Sequence, residues 1–114
     1  MDLYPAVIVH GLAEAMAALA AGLPVTLVSA PGAASYAGCG WWRALVDSAR
    51  GAYPAVPCLD ILDCADSTGQ ALAALRIGIN HLILWPDAPG RAAVLAIAAA
   101  AGGGVLAAAP GTRR

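Results

Sequence analysis

The stretch "CLDILDCADSTGQALAALRIGINHLILW" (residues 58–85) holds one complete strand–helix–strand unit. "CLDILDC", Cys58 to Cys64, is a mostly apolar run of strand length. "ADSTG" follows, where Asp66 or Ser67 can accept a hydrogen bond from the free N–H groups of a first helical turn. "QALAALRIG" consists largely of strong helix formers and stops at Gly78, the residue type best suited to the left-handed turn that ends helices. "HLILW" is a second apolar run, closed by Pro86-Asp87. Continuous apolar strands on either side of a helix imply parallel strands joined by a crossover.

The same alternation extends in both directions. Upstream lie "AVIVH" (Ala6 to His10), the helix-forming "LAEAMAALAAG" ending at Gly22, and "PVTLVSA" from Pro24, closed by Pro31-Gly32. A helix is predicted from Trp41 to Arg50, stopped by Gly51 and Pro54. Downstream come the helix "APGRAAVLAIAAAAG" and a last strand "GVLAAAP". The order is β-α-β-α-β-α-β-α-β. Buried parallel strands with right-handed crossovers predict an α/β fold: a three-layer, doubly wound, five-stranded sheet in the flavodoxin-like order 2-1-3-4-5. A half-barrel of β/α units in sequential order is the alternative. Residues 1–110 form one domain and 111–114 a C-terminal tail. The chain also echoes itself. Ala15, Ala17, Ala18, Leu19 and Gly22 recur as Ala71, Ala73, Ala74, Leu75 and Gly78, and Ala30-Pro31-Gly32 as Ala88-Pro89-Gly90. Duplication of a β-α-β unit, or similar sockets for Ala-rich helices, would both produce this.

Composition narrows the function classes. Of 114 residues, 61% are hydrophobic and 11% charged, less than half the roughly 25% usual in soluble domains. This composition argues against disorder, and too little charge is left to cover a lone monomer. The formal net charge is −1 and the arginines are scattered, so no nucleic-acid footprint is present. No Lys occurs, which removes Schiff-base and Walker-type mechanisms. Cys39, Cys58 and Cys64 include no C-x-x-C pair, which indicates neither a disulfide framework nor a metal site and fits a reducing cytoplasm. The uncharged run from Ala92 to Gly111 has the length of a membrane span, but Gly102-Gly103-Gly104 interrupts it and Pro110 closes it. It reads as a helix followed by a strand, and no membrane partner is expected. No cofactor is indicated.

In parallel α/β sheets, ligands bind beyond the carboxyl ends of the strands. Those ends carry His10, Ser29, Asp63, Asp66 and Asp87. His10 is the candidate general acid or base, and Asp63 the group that would fix its tautomer. The loop before the third helix, Gly38-Cys39-Gly40, can converge backbone N–H groups on an anion. Arg43, placed in the first turn of that helix, opposes its dipole and requires a partner such as an anion. Ser29, Gly38, Gly40, Arg43, Asp66 and Asp87 are therefore the candidate ligand-binding residues. Trp41 and Trp42 diverge by about 100° on a helix, so one packs on the sheet while the other covers a loop or an interface.

"DSTG", Asp66 to Gly69, resembles the D-S-x-G helix start of STAS domains. That resemblance implies a regulatory module in which Ser67 is phosphorylated. It covers only these residues and the following helix, and those domains begin with consecutive strands whereas this chain begins β-α-β. Two functions are thus expected. One is binding, with or without turnover, of an anionic small metabolite at the carboxyl edge. The other is a non-enzymatic oligomeric or regulatory module. Val94, Leu95 and Ile97 point in different directions on a helix whose only charge is Arg91, so at least one faces outward. A homo-oligomer, most simply a C₂ dimer, is the expectation.

Overall fold

Each apolar run forms a strand and each Ala/Leu-rich run a helix in the computed structural model, which describes residues 3–111. The elements are β1 (Ala6–Val9), α1 (Leu12–Ala20), β2 (Val25–Ser29), α2 (Ala33–Tyr36), α3 (Cys39–Ala52), β3 (Cys58–Asp63), α4 (Thr68–Arg76), β4 (His81–Ile83), α5 (Arg91–Ala100) and β5 (Gly104–Leu106). Of the expected tail, residues 112–114 lie outside the described residues. The Ala92 to Gly111 run divides as expected, into a ten-residue helix and a strand. Among the described residues, no helix is long and apolar enough to cross a membrane.

The α/β class and the five-stranded parallel sheet stand, but the strand order is β1-β2-β3-β4-β5, not 2-1-3-4-5. This corrects the layering too. A doubly wound sheet needs its crossovers to reverse direction once. Here every crossover steps the same way, and right-handed connections of one direction lay their helices on one face. The core divides accordingly. Val9, Leu27, Leu62 and Leu82 from the strands, with Leu84 just after β4, pack with Leu19, Trp42, Val46, Ala74 and Val94 from the helices. On the opposite face Val28, Ile61 and Ile83 pack with Ala6, Ile8 and Leu106 and with the flanking Leu3 and Ala109; among the described residues no helical side chain joins them.

The sequential order is that of the half-barrel alternative. The strands read as apolar throughout because their second face is also buried, by neighbouring strands and flanking segments rather than by helices. Val28, Ile61 and Ile83 are fully buried there.

Three local details set the site geometry. α3 starts at Cys39, after Gly38 in a left-handed conformation (φ 89°), two residues earlier than predicted. α4 is capped by Ser67, whose hydroxyl accepts from the Gln70 N–H at 3.3 Å. The turn before β5 brings Gly103 against Asn80 so closely that a Cβ would overlap the Asn80 carbonyl.

Candidate functional site

α1, α2, α4 and α5 each follow the carboxyl end of a strand, and α3 follows the short α2, so the helix N-termini gather at that edge. In its centre Ser29 and Asp63 join β2 to β3. The buried Ser29 hydroxyl donates to the Ala30 carbonyl (3.2 Å) and accepts from the Asp63 N–H (2.9 Å). Asp63 is 6% exposed, and its Oδ1 accepts from the Ala65 N–H at 2.9 Å. That bond helps hold Ala65 at φ 51°, an uncommon conformation for a residue with a Cβ. The Ala65 carbonyl in turn accepts from the Trp85 N–H at 2.8 Å. Asp63 therefore organises the loop after β3. Asp66 and Asp87 stand exposed on the same edge.

His10 does not meet Asp63. It lies at the end of edge strand β1, and β2 separates it from β3; two strand spacings amount to about 10 Å. Its partner is Glu14, whose Oε1 accepts from the His10 backbone N–H at 2.6 Å and lies 3.1 Å from Nδ1. The backbone N–H bond, with the neighbouring ring, holds the Glu14 carboxyl below its ordinary value. Sequence reasoning assigned Glu14 no role, although it follows His10 by one helical turn.

Arg43 also lies elsewhere. With α3 beginning at Cys39, it sits past the first turn and faces α4. Its Nε donates to Asp47 Oδ2 at 3.2 Å and its Nη1 to the Ile77 carbonyl at the C-terminus of α4. The partner it required is a pair of protein acceptors. Gly38 is the N-cap of α3 and Gly40 lies inside its first turn, so this stretch is the α2–α3 junction. Trp42 is fully buried, while Trp41 packs partly buried at the core margin, its ring centroid 6.0 Å away. Among the described residues the Trp42 Nε1 has no acceptor, which subtracts about 1–3 kcal/mol from what the ring's burial contributes.

Cys64 is buried beside Asp63. Burial first, then the Asp63 and Cys39 charges, push its thiol up to about 12, which makes it a poor nucleophile. Burial also raises the Cys58 thiol. Among the described residues, no three His, Cys, Asp or Glu side chains group so as to hold a metal ion. Ser67, the position suggested by the STAS resemblance, is the cap of α4.

Two surface features were not predicted. One is a polar cleft of about 250 Å³ at the amino end of the sheet, lined by Arg43, Asp47, Arg50, Asp60, Asn80 and His81 among others. The second is an apolar groove of about 250 Å³ on the outer helical surface, lined by Leu72, Leu75, Arg76 and Ile97. The signal for the first was Asp60, a charge inside an otherwise apolar strand; the signal for the second was α5, which lacks a polar face. No protein-family model matches the chain, and no curated protein matches it in sequence.

Proposed function

We propose that this chain is a non-catalytic interaction module that assembles with copies of itself through the seam of α4 and α5. The observation that carries the reading is the apolar groove of Leu72, Leu75, Arg76 and Ile97, beside a helix whose one charged side chain is engaged elsewhere. Arg91 donates its Nε to the Leu84 carbonyl at 2.9 Å. Val94 is buried, but Leu95 is 37% and Ile97 46% exposed. Fully burying such a side chain contributes about 1.5–3 kcal/mol, and the small alanines around them let helices approach closely. Self-association by a two-fold axis is the commonest arrangement and would set α5 beside its copy.

The spread of the candidate catalytic groups supports the non-catalytic part of this reading. An acid–base pair must lie within hydrogen-bond reach. His10 instead pairs with Glu14, and Asp63 is engaged with backbone. Three free thiols, Cys39, Cys58 and Cys64, support a cytoplasmic setting. The seam is tested by Ile97→Asp: gel filtration should show the wild type as a dimer and the variant as a monomer with unchanged circular dichroism. A variant that stays dimeric overturns the α4–α5 seam and leaves α1, with its exposed Leu12, as the remaining apolar helix face.

A second reading, an anionic small metabolite at the carboxyl edge, is favoured by the helix caps. α1, α3 and α5 begin at Gly11, Gly38 and Gly90 with no side chain accepting from their first-turn N–H groups. Free N–H groups at the positive end of a helix favour an anion. Asp63, Asp66 and Asp87 oppose it on the same edge, which makes self-assembly the stronger reading. Titration with inorganic phosphate should shift the amides next to these caps in a saturable way; unchanged spectra remove the second reading.

A further inference from the structure

The amino-end cleft concentrates charge in a chain that has little. The sequence has six Lys plus Arg and seven Asp plus Glu, and two of each sign line this one cleft. They form two ion pairs. Arg43 holds Asp47 at 3.2 Å. Arg50 reaches Asp60 Oδ1 at 2.8 Å and the Cys58 carbonyl at 2.7 Å, both through Nη2.

That geometry leaves capacity unused. A guanidinium has five N–H donors, yet Nε and Nη1 of Arg50 have no acceptor among the described residues. Asp60 Oδ2 likewise has no donor there, although its side chain is only 18% exposed. Asn80 spends its Nδ2 on the Ala101 carbonyl at 3.3 Å and keeps its side-chain carbonyl free to accept. Donors and acceptors are thus unspent on opposite members of one half-buried ion pair, at the wall of a cavity.

The charge balance selects the ligand. The two arginines and two aspartates cancel, so a lone anion or a lone cation would enter uncompensated, which is costly in a partly desolvated setting. A molecule carrying both signs leaves the balance intact. The C-terminal ends of α3 and α4 lie at this end of the sheet and favour an ammonium. The unused Nη1 N–H groups of Arg50 can donate a charge-assisted bond to a carboxylate oxygen. The volume falls below the roughly 300–1,000 Å³ of clefts that take drug-sized ligands.

We propose that the cleft between α3, α4 and the amino ends of β3 and β4 binds a small zwitterion of the free amino-acid class, its carboxylate on Arg50 and its ammonium on Asp60. The test is an NMR titration of the full chain with glycine, L-alanine, L-serine and L-glutamine, with acetate and methylammonium as half-ligands. At least one amino acid should give saturable shifts at the amides of Arg50, Asp60 and Gly78 to His81. Each half-ligand should bind at least about tenfold more weakly. Asp60→Asn keeps the shape and removes the charge; it should weaken binding by about tenfold with a dispersed spectrum. If that variant does not fold, Arg50→Lys, which keeps the charge and loses the fork, should weaken it by about fivefold. No saturable shift from any of the four amino acids overturns the proposal, as does acetate binding as tightly as they do, or binding that the folded variants leave unchanged.

Discussion

Cys64 shows how one residue's chemistry is set by where the chain buries it. Its thiol is raised from 9.0 to about 12 because the ionised form would be desolvated beside Asp63. Iodoacetamide at about pH 8 should therefore modify Cys64 more slowly than Cys39 or Cys58; equal rates would contradict the burial. A thiol raised on folding contributes stability that is complete below pH 9.0 and lost as pH rises toward 12. The urea midpoint should fall across that window, and Cys64→Ala should flatten the fall. Gly103 is the other residue whose identity the backbone dictates. A Cβ there overlaps the Asn80 carbonyl, which is held in place by the Gly104 N–H at 2.9 Å, while the Gly103 N–H donates to the Ala98 carbonyl at 2.9 Å. Gly103→Ala should lower the unfolding free energy by about 3 kcal/mol or more in urea titrations. His10 is exposed, so His10→Ala should leave stability within about 0.5 kcal/mol of wild type. In the second functional reading it should also abolish phosphate shifts near Gly11.

At the scale of elements, α3 divides its two tryptophans as a 100° step requires. Trp42 enters the helix-side core and Trp41 stays at its margin. Trp42→Ala should cost about 3–5 kcal/mol and Trp41→Ala distinctly less; similar losses in chemical denaturation would refute this division.

All nine predicted elements were legible because their apolar runs and Gly/Pro stops are local. Only the four-residue α2 escaped, being too short to show a period. Strand order was not legible, since an apolar strand looks alike whether helices or flanking segments cover its second face. The internal echo has a structural counterpart. Gly22 and Gly78 both end helices at φ 78° and 91°, and Gly32 and Gly90 both start them at φ 68° and 70°. The cleft residues were hidden by distance: Arg43 meets Ile77 across 34 positions and Arg50 meets Asp60 across 10. Asp60, the lone charge inside a strand, was the visible trace of that pairing.

Across the whole molecule, sequential strands put the helices on one side, and this decides which surfaces are available. The outer surface of the helical layer carries the exposed Leu95, Ile97 and Ile77. The sheet's other face is closed by Leu3 and Ala109 over Val28, Ile61 and Ile83. Apart from Arg76, which lines the α4–α5 groove, the charged groups of the described residues lie at the amino-end cleft and the carboxyl edge, so little charge remains to keep the α4–α5 surface apart from its copy. Assembly should therefore depend on apolar burial and be insensitive to salt. The most direct measurement is the solution mass of the wild-type chain by multi-angle light scattering at micromolar concentration. A dimer gives twice the 11.3 kDa chain mass, unchanged in high salt. A clean mass of 11.3 kDa would contradict it.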